Sequence, residues 1–255
     1  DGRRKIDEIA LEGIRSKAYP GCQIVILKDG IPVYDKCFGS FTYESKQKVM
    51  PDNLYDIASL TKTTGTLLAV MKLYDQGKFG LTDRISKYVP ELKGSAKERI
   101  TIEELLYHQS GLPASWSFYR DAIDDSSYVG SFFKARPDAN HHLRVDTRLY
   151  VVDSFGYKKE FGQNSEDYPL ALADSLFVST NFPKHMLELL ASTEIPLRDH
   201  RYRYSCLNFM LLKEMVENIS GMPMDEFLDK EFFQPMGMNH TLYLPLRRFQ
   251  KEQIV

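Results

Sequence analysis

From Asp56 to Gly77 the chain reads Asp-Ile-Ala-Ser-Leu-Thr-Lys and then a run of mostly apolar and small residues. Leu60, Leu67, Leu68, Met71 and Tyr74 recur at helical spacing, which predicts a helix with that face buried. Asp56 has the side chain of an N-cap, and Gly77 stands where a left-handed C-terminal cap belongs. Ser59 is thereby expected in the first turn, with Lys62 three residues on along the same face. A hydroxyl there feels the positive end of the helix dipole, which favours negative charge developing on its oxygen. A lysine stripped of water beside it is expected to have a lowered pKa and, as the neutral amine, to take the serine proton. The spacing alone is weak evidence. Ser45–Lys48 and Ser131–Lys134 repeat it in polar or irregular sequence, and a bare pair reads equally as a helix-start residue and a solvated surface charge.

Composition narrows the classes of function. The 255 residues suffice for one large domain or two small ones, and 43% hydrophobic with 27% charged residues is ordinary for a globular protein. One domain over residues 1–255 is expected, with a variable insertion at about 115–200. A net charge of −2 without a basic stripe argues against a nucleic-acid partner, and no apolar run is long enough to span a bilayer. The chain opens on Asp1 and not on a methionine, as a processed or engineered boundary would, which is compatible with a lost targeting segment. Three cysteines make no disulfide framework. The tandem His141-His142 sits in a polar stretch and is a weak metal candidate; no metal or cofactor is called for.

Ile6, Ile9, Ala10 and Ile14 predict an amphipathic first helix over residues 3–18, stopped by Pro20-Gly21. Gln23–Lys28 reads as a strand, Asp29-Gly30 as a two-residue turn and Ile31–Phe38 as the antiparallel partner, with apolar residues suited to a sheet covered on both sides. That register sets Cys22 opposite Cys37. A disulfide is then open, but the odd cysteine count and cross-strand strain favour two buried thiols. Thr101-Ile102-Glu103-Glu104 is a capping box opening a helix that stops at Ser110-Gly111-Leu112-Pro113. From Ser115 to His200 the pattern weakens, with candidate strands at Leu149–Phe155 and Ser175–Ser179 and a helix at Pro183–Ala191; so long an irregular region suits a lid or an insertion. Order returns at Tyr204-Ser205-Cys206, before a helix over Leu207–Ile219 stopped by Gly221 and another over Met224–Phe233.

These landmarks occur in a telling order: Pro20-Gly21 before a strand, the Asp29-Gly30 hairpin, Ser59-Leu60-Thr61-Lys62, Leu105–Pro113, Tyr204-Ser205-Cys206 and Gln234–Met238. Together they resemble the serine β-lactamase and penicillin-binding-protein superfamily, on the side of class C β-lactamases, D-alanyl-D-alanine peptidases and related esterases. The likeness covers residues 20–113 and 202–245 well, and extends to domains fused to family 3 glycoside hydrolases in Bacteroidetes. It implies an α/β fold of the β-lactamase/transpeptidase type: an antiparallel sheet flanked by helices plus a mostly helical lobe. It also implies that Ser59 forms an acyl-enzyme with Lys62 as activating base, while Tyr204 shares protons with Lys62 and protonates the leaving group. The backbone N–H of Ser59 would form half of an oxyanion hole. The implied substrates are small molecules or peptides related to the cell wall, and the implied location is the periplasm or cell envelope.

Two departures from the family pattern count. Cys206 stands where the family's second motif carries asparagine, so substrate binding there meets a thiol and not an amide. A small buried hydrophobe explains Cys206 equally well. The third motif, Lys-Thr-Gly or His-x-Gly, has no counterpart after Tyr204. Of these two points, the thiol makes a β-lactamase proper less expected than a peptidase or esterase. Both leave open an idle β-lactamase-like scaffold or binding domain of a larger glycosidase. The chain is accordingly expected to be incomplete at its C-terminus, with a further segment or a fused glycoside hydrolase domain as partner.

Overall fold

The computed structural model of the chain describes residues 2–146, 148–158, 161–162, 165–173, 176–195 and 199–255. They fall into two compact units: Asp1–Thr61 with Asp229–Val255, and Lys62–Leu228.

In the first unit, α1 (Gly2–Arg15) precedes β1 (Gly21–Lys28) and β2 (Ile31–Gly39), an antiparallel pair. Asp29 and Gly30 both have positive φ, 54° and 78°, as a tight turn matching the strand twist requires. The strands lie one residue out of the expected register. Leu27 pairs with Pro32 but Ile26 pairs with Tyr34, so Val33 is extra. Pro32 has no N–H to give to the ladder, and a bulge is where a strand tolerates that. Cys22 therefore faces Phe38, Cys37 faces Gln23, and both thiols are free. Helix α1 is fastened to β2 by Asp7, which accepts from the Tyr34 hydroxyl and pairs with Lys36 Nζ at 2.7 Å. Val25, Leu27 and Ile31 remain exposed among the described residues, in contrast to the expected two-sided cover. The unit is closed by Leu54, whose N–H donates to the Gln253 carbonyl at 2.8 Å and whose own carbonyl accepts from Val255 at 2.9 Å.

The second unit is mostly helical. Helical backbone begins at Leu60, opens into a π-helical turn at Lys62–Thr66 and continues as α2 (Leu67–Asp75). Gly77, at φ 66°, ends it as expected: its N–H donates to Tyr74 and that of Lys78 to Leu73. The buried face differs from the expected one. Leu60, Met71 and Tyr74 are 61, 57 and 50% exposed, while Gly65, Thr66, Ala69, Val70 and Leu73 are buried. Two stripes of this helix are apolar, and the one with smaller residues packs against α6 (Cys206–Ser220) and α7 (Met224–Leu228). The extra residue of the π turn also shifts everything before it by about 100°.

Helix α3 (Ile102–Leu106) carries the expected capping box: Thr101 Oγ accepts from the Glu104 N–H at 3.2 Å, and Glu104 returns a carboxylate to Thr101 N–H at 2.8 Å. Helix α6 runs from the Ser205 N-cap to Gly221 in the left-handed region and buries Leu207, Leu211, Leu212, Met215 and Val216. Each such side chain stabilises the core by about 1.5–3 kcal/mol. Between α3 and α6 lie α4 (Phe118–Ala122), α5 (Phe182–Ser192) and small antiparallel sheets of two or three short strands. Expected strands there are shorter than their sequence patterns: Leu149–Val151 and Leu176–Val178, with Ser175 outside the described residues.

Candidate active site

Ser59 belongs to the first unit and stands in the turn just before helical backbone begins, not in the helix's first turn. Asp56 accepts from the Ala58 N–H at 2.7 Å, so it closes a turn ahead of the helix instead of capping the helix itself. Ala58 has φ 46°, a left-handed conformation that costs a residue with a Cβ about 1–2 kcal/mol. Leu60 and Thr61 donate back to Ile57 and Ala58 at 3.0 Å, which holds the strained turn and presents Ser59 to solvent. Strain of this kind collects at working residues. Nothing in the sequence announces it.

Three residues further along the chain, Lys62 opens the second unit at the head of the π turn. The structure brings Lys62, Tyr204 and Cys206 together. Lys62 Nζ lies 5.3 Å from the centre of the Tyr204 ring, and its ammonium hydrogen-bonds the side chains of Tyr204 and Cys206. Partial burial pulls the lysine pKa down, but the bond to Tyr204 and the thiol side of Cys206 outweigh it, and the net shift is upward. That direction is opposite to the lowering expected for Lys62 and favours its charged form.

Tyr204 and Cys206 flank Ser205, whose placement explains theirs. Ser205 is fully buried; its hydroxyl donates to the Pro113 carbonyl at 2.6 Å and accepts from the Leu207 N–H at 3.2 Å. The Cys206 N–H donates to the Ala114 carbonyl at 2.8 Å. One serine thus caps α6 and pins the start of the helix to the segment after α3, leaving its two neighbours directed at Lys62.

Sequence reasoning gives no role to His108, which the structure places at the site. Its ring centroid lies 4.7 Å from that of Tyr204 and 5.4 Å from that of Phe209, and burial together with the Lys62 charge pushes its pKa below the ordinary histidine value. The signal that points to it is Asn208, a lone amide in the apolar run Leu207–Leu212, which needs a buried partner. The other histidine candidates have their own partners: His141 Nδ1 meets Asp138 at 2.8 Å and its Nε2 the Ser131 carbonyl at 2.7 Å, while His142 pairs with Asp153 at 2.6 Å. Among the described residues no group of three or more histidines, cysteines and carboxylates gathers as a metal site, and no helix is long and apolar enough to cross a membrane.

The family model described as Beta-lactamase matches residues 6–252, and the chain belongs to that family. It is similar to the "Putative D-alanyl-D-alanine carboxypeptidase" of Escherichia coli (strain K12), 27% identical over 251 residues, covering 92% of this chain and 46% of that protein. It is also 26% identical over 261 residues to the N-acetylmuramyl-L-alanine amidase of Bacillus subtilis (strain 168), covering 96% of this chain and 47% of the relative. The octameric penicillin-binding protein homologue from Pyrococcus abyssi shares the fold with a TM-score of 0.61 at 24% identity, over 98% of this chain and 46% of that one. The chain spans about half the length of the curated relatives it matches.

Proposed function

We propose that this chain carries the nucleophile and proton-transfer groups of an acyl-transfer serine hydrolase, a penicillin-binding-protein-like peptidase or esterase acting on cell-wall-related substrates in the periplasm or cell envelope. The observation that carries this is the Lys62 ammonium against Tyr204, three residues beyond Ser59. With Lys62 as its cationic partner, Tyr204 is the group that takes the Ser59 proton as its oxygen attacks the substrate carbonyl. The proton then passes from Tyr204 to the leaving amine or alcohol as the carbonyl–leaving-group bond breaks, giving the acyl-enzyme. Water attacks that ester as Tyr204 takes its proton; the bond from the acyl carbon to Ser59 Oγ breaks, Tyr204 returns the proton to Ser59 Oγ, and the acid is released. Lys62 stays charged throughout as electrostatic partner, and Cys206, also on Lys62, borders the substrate. Names of the relatives that refer to carboxypeptidase and amidase chemistry support the substrate class.

The test is intact-mass analysis after exposure to a fluorophosphonate and to a penicillin, on this chain and on Ser59→Ala. An adduct that vanishes in the variant sustains the reading, and the preferred reagent separates esterase from penicillin-binding chemistry. A wild-type chain that gains no mass from either reagent defeats it. That result would favour the second reading, an idle binding module of a larger glycosidase, which the thiol of Cys206 at the family's amide position supports.

A further inference from the structure

The buried polar residues behind Tyr204 form a chain with a direction. The Leu112 N–H donates to Ser110 Oγ at 3.2 Å, and the Ser110 hydroxyl donates to Asn208 Oδ1 at 2.6 Å. With its oxygen so engaged, Asn208 turns its amide nitrogen to His108 Nδ1 at 3.1 Å. The Ser205 N–H reaches the same Nδ1 at 3.2 Å. A ring nitrogen that receives two N–H groups carries no proton, so the imidazole is neutral with its proton on Nε2. Ser110 and Asn208 are almost wholly buried, where a polar side chain is tolerated because it is bonded.

His108 also holds the tyrosine segment by its backbone. At φ 55° its carbonyl accepts from the Arg203 N–H at 2.7 Å, while its Nδ1 accepts from Ser205. Both neighbours of Tyr204 are thereby tied to one residue. The ring of that residue lies on Tyr204 at 4.7 Å and 39°, with Phe209 at 5.4 Å and Tyr202 at 5.9 Å around it. A phenylalanine would fill the space and keep the carbonyl, but its ring could accept neither the Ser205 N–H nor the Asn208 amide.

We infer that His108, locked by Ser110 and Asn208, is a positioning residue that sets the Tyr204 hydroxyl on the Lys62 ammonium. The inference rests on the serine-hydrolase reading for its consequence in catalysis, but the placement of Tyr204 is measurable without it. As a neutral ring, His108 adds no second positive charge to compete with Lys62 for the phenol.

The informative variant is His108→Asn. Asparagine accepts positive φ and offers Oδ1 near the place of Nδ1, so both backbone ties can persist while the ring contact is lost. Tyrosine labelled with 13C at the ζ carbon, with the Tyr204 resonance assigned through Tyr204→Phe, reports the titration of Tyr204. The expected result is a Tyr204 midpoint moved by about half a pH unit or more, roughly a threefold change in the ionisation equilibrium. Fluorophosphonate labelling of Ser59 should slow about tenfold at saturation with little change in the concentration that half-saturates it. A Tyr204 titration identical to that of wild type overturns the inference. If His108→Asn fails to fold, Asn208→Leu keeps the ring and removes the amide that orients it; a moved Tyr204 midpoint there supports the inference, and an unmoved one overturns it. A wild-type chain that is never labelled defeats the hydrolase reading, and the Tyr204 titration still decides the role of His108.

Discussion

Lys62 and Tyr204 meet as ammonium and phenol, with the nitrogen 5.3 Å from the ring centre and the lysine pKa held above its ordinary value. A raised lysine pKa is a preference for the charged form in the folded state. Whatever stability the contact supplies is present below about pH 10 and is lost as pH rises through the folded lysine value. The Lys62 Cε resonance should therefore show no deprotonation between about pH 6 and 10. In Tyr204→Phe the lysine should titrate lower, and labelling of Ser59 should fall about 10²–10⁴-fold. A lysine that titrates near neutrality in the wild-type chain would restore the amine as base.

Asp83 has one oxygen that accepts from the Gly80 N–H at 3.0 Å, Lys87 Nζ at 3.0 Å and the Tyr88 hydroxyl at 2.6 Å. The Gly80 N–H foremost, then Tyr88 and Lys87, hold its carboxyl down to about 2. A depressed carboxylate stabilises the fold above its unfolded pKa near about 4 and loses that contribution as pH falls through about 2. Because the carboxylate is part-buried and keeps contact with solvent, Asp83→Asn should cost only about 1 kcal/mol at neutral pH. Denaturant melts at neutral pH and at about pH 2 check this: the gap between wild type and variant should close in acid.

Lys97 is fully buried and donates to the carbonyls of Ala191, at 3.4 Å, and Thr193, at the end of α5. Burial pushes its pKa below the ordinary lysine value. Lys97→Met keeps most of the volume and leaves those carbonyls with less to bond, a cost of about 1–3 kcal/mol. Hydrogen exchange should quicken in α5 before it does in α6. A variant as stable as wild type, with α5 equally protected, would show that the ammonium contributes nothing net.

Cys22 and Cys37 should each take up one alkyl group in the denatured, unreduced chain, as should Cys206, because all three are free thiols. In the folded chain Cys22 and Cys37 should react slowly below about pH 9, since burial raises both thiol pKa values. A chain that takes up one alkyl group and not three would carry the disulfide that the bulge at Val33 argues against.

Much of this fold is written locally. The capping box at Thr101, the Asp29-Gly30 turn and the glycine stops at Gly77 and Gly221 form where the sequence says, because each needs only its immediate neighbours. The bulge at Val33 depends on how a proline is absorbed across two strands, and a one-residue slip there separates two cysteines. The buried stripe of α2 depends on which neighbours it meets, since the sequence offers two apolar faces and α6 and α7 choose the one with alanine. Lys62, Tyr204 and Cys206 are legible as a group, but not the sign of the lysine's shift, which is set by partners 142 and 144 positions away in the chain. His108 lies inside the Leu105–Pro113 motif with no role of its own in the sequence, because Asn208 and Ser205 reach it from 100 and 97 residues off.

The π-helical turn at Lys62–Thr66 makes the chain's length at that point a functional quantity. Deleting one of Thr63, Thr64 or Gly65 would let the helix relax to ordinary winding while Ala69, Val70 and Leu73 kept their seats. Lys62 would then swing by about 100° around the axis and be drawn about 1.5 Å along it, away from Tyr204. An indel here is thus a rotation, and a chain that loses a residue from this turn keeps its core and misdirects its lysine.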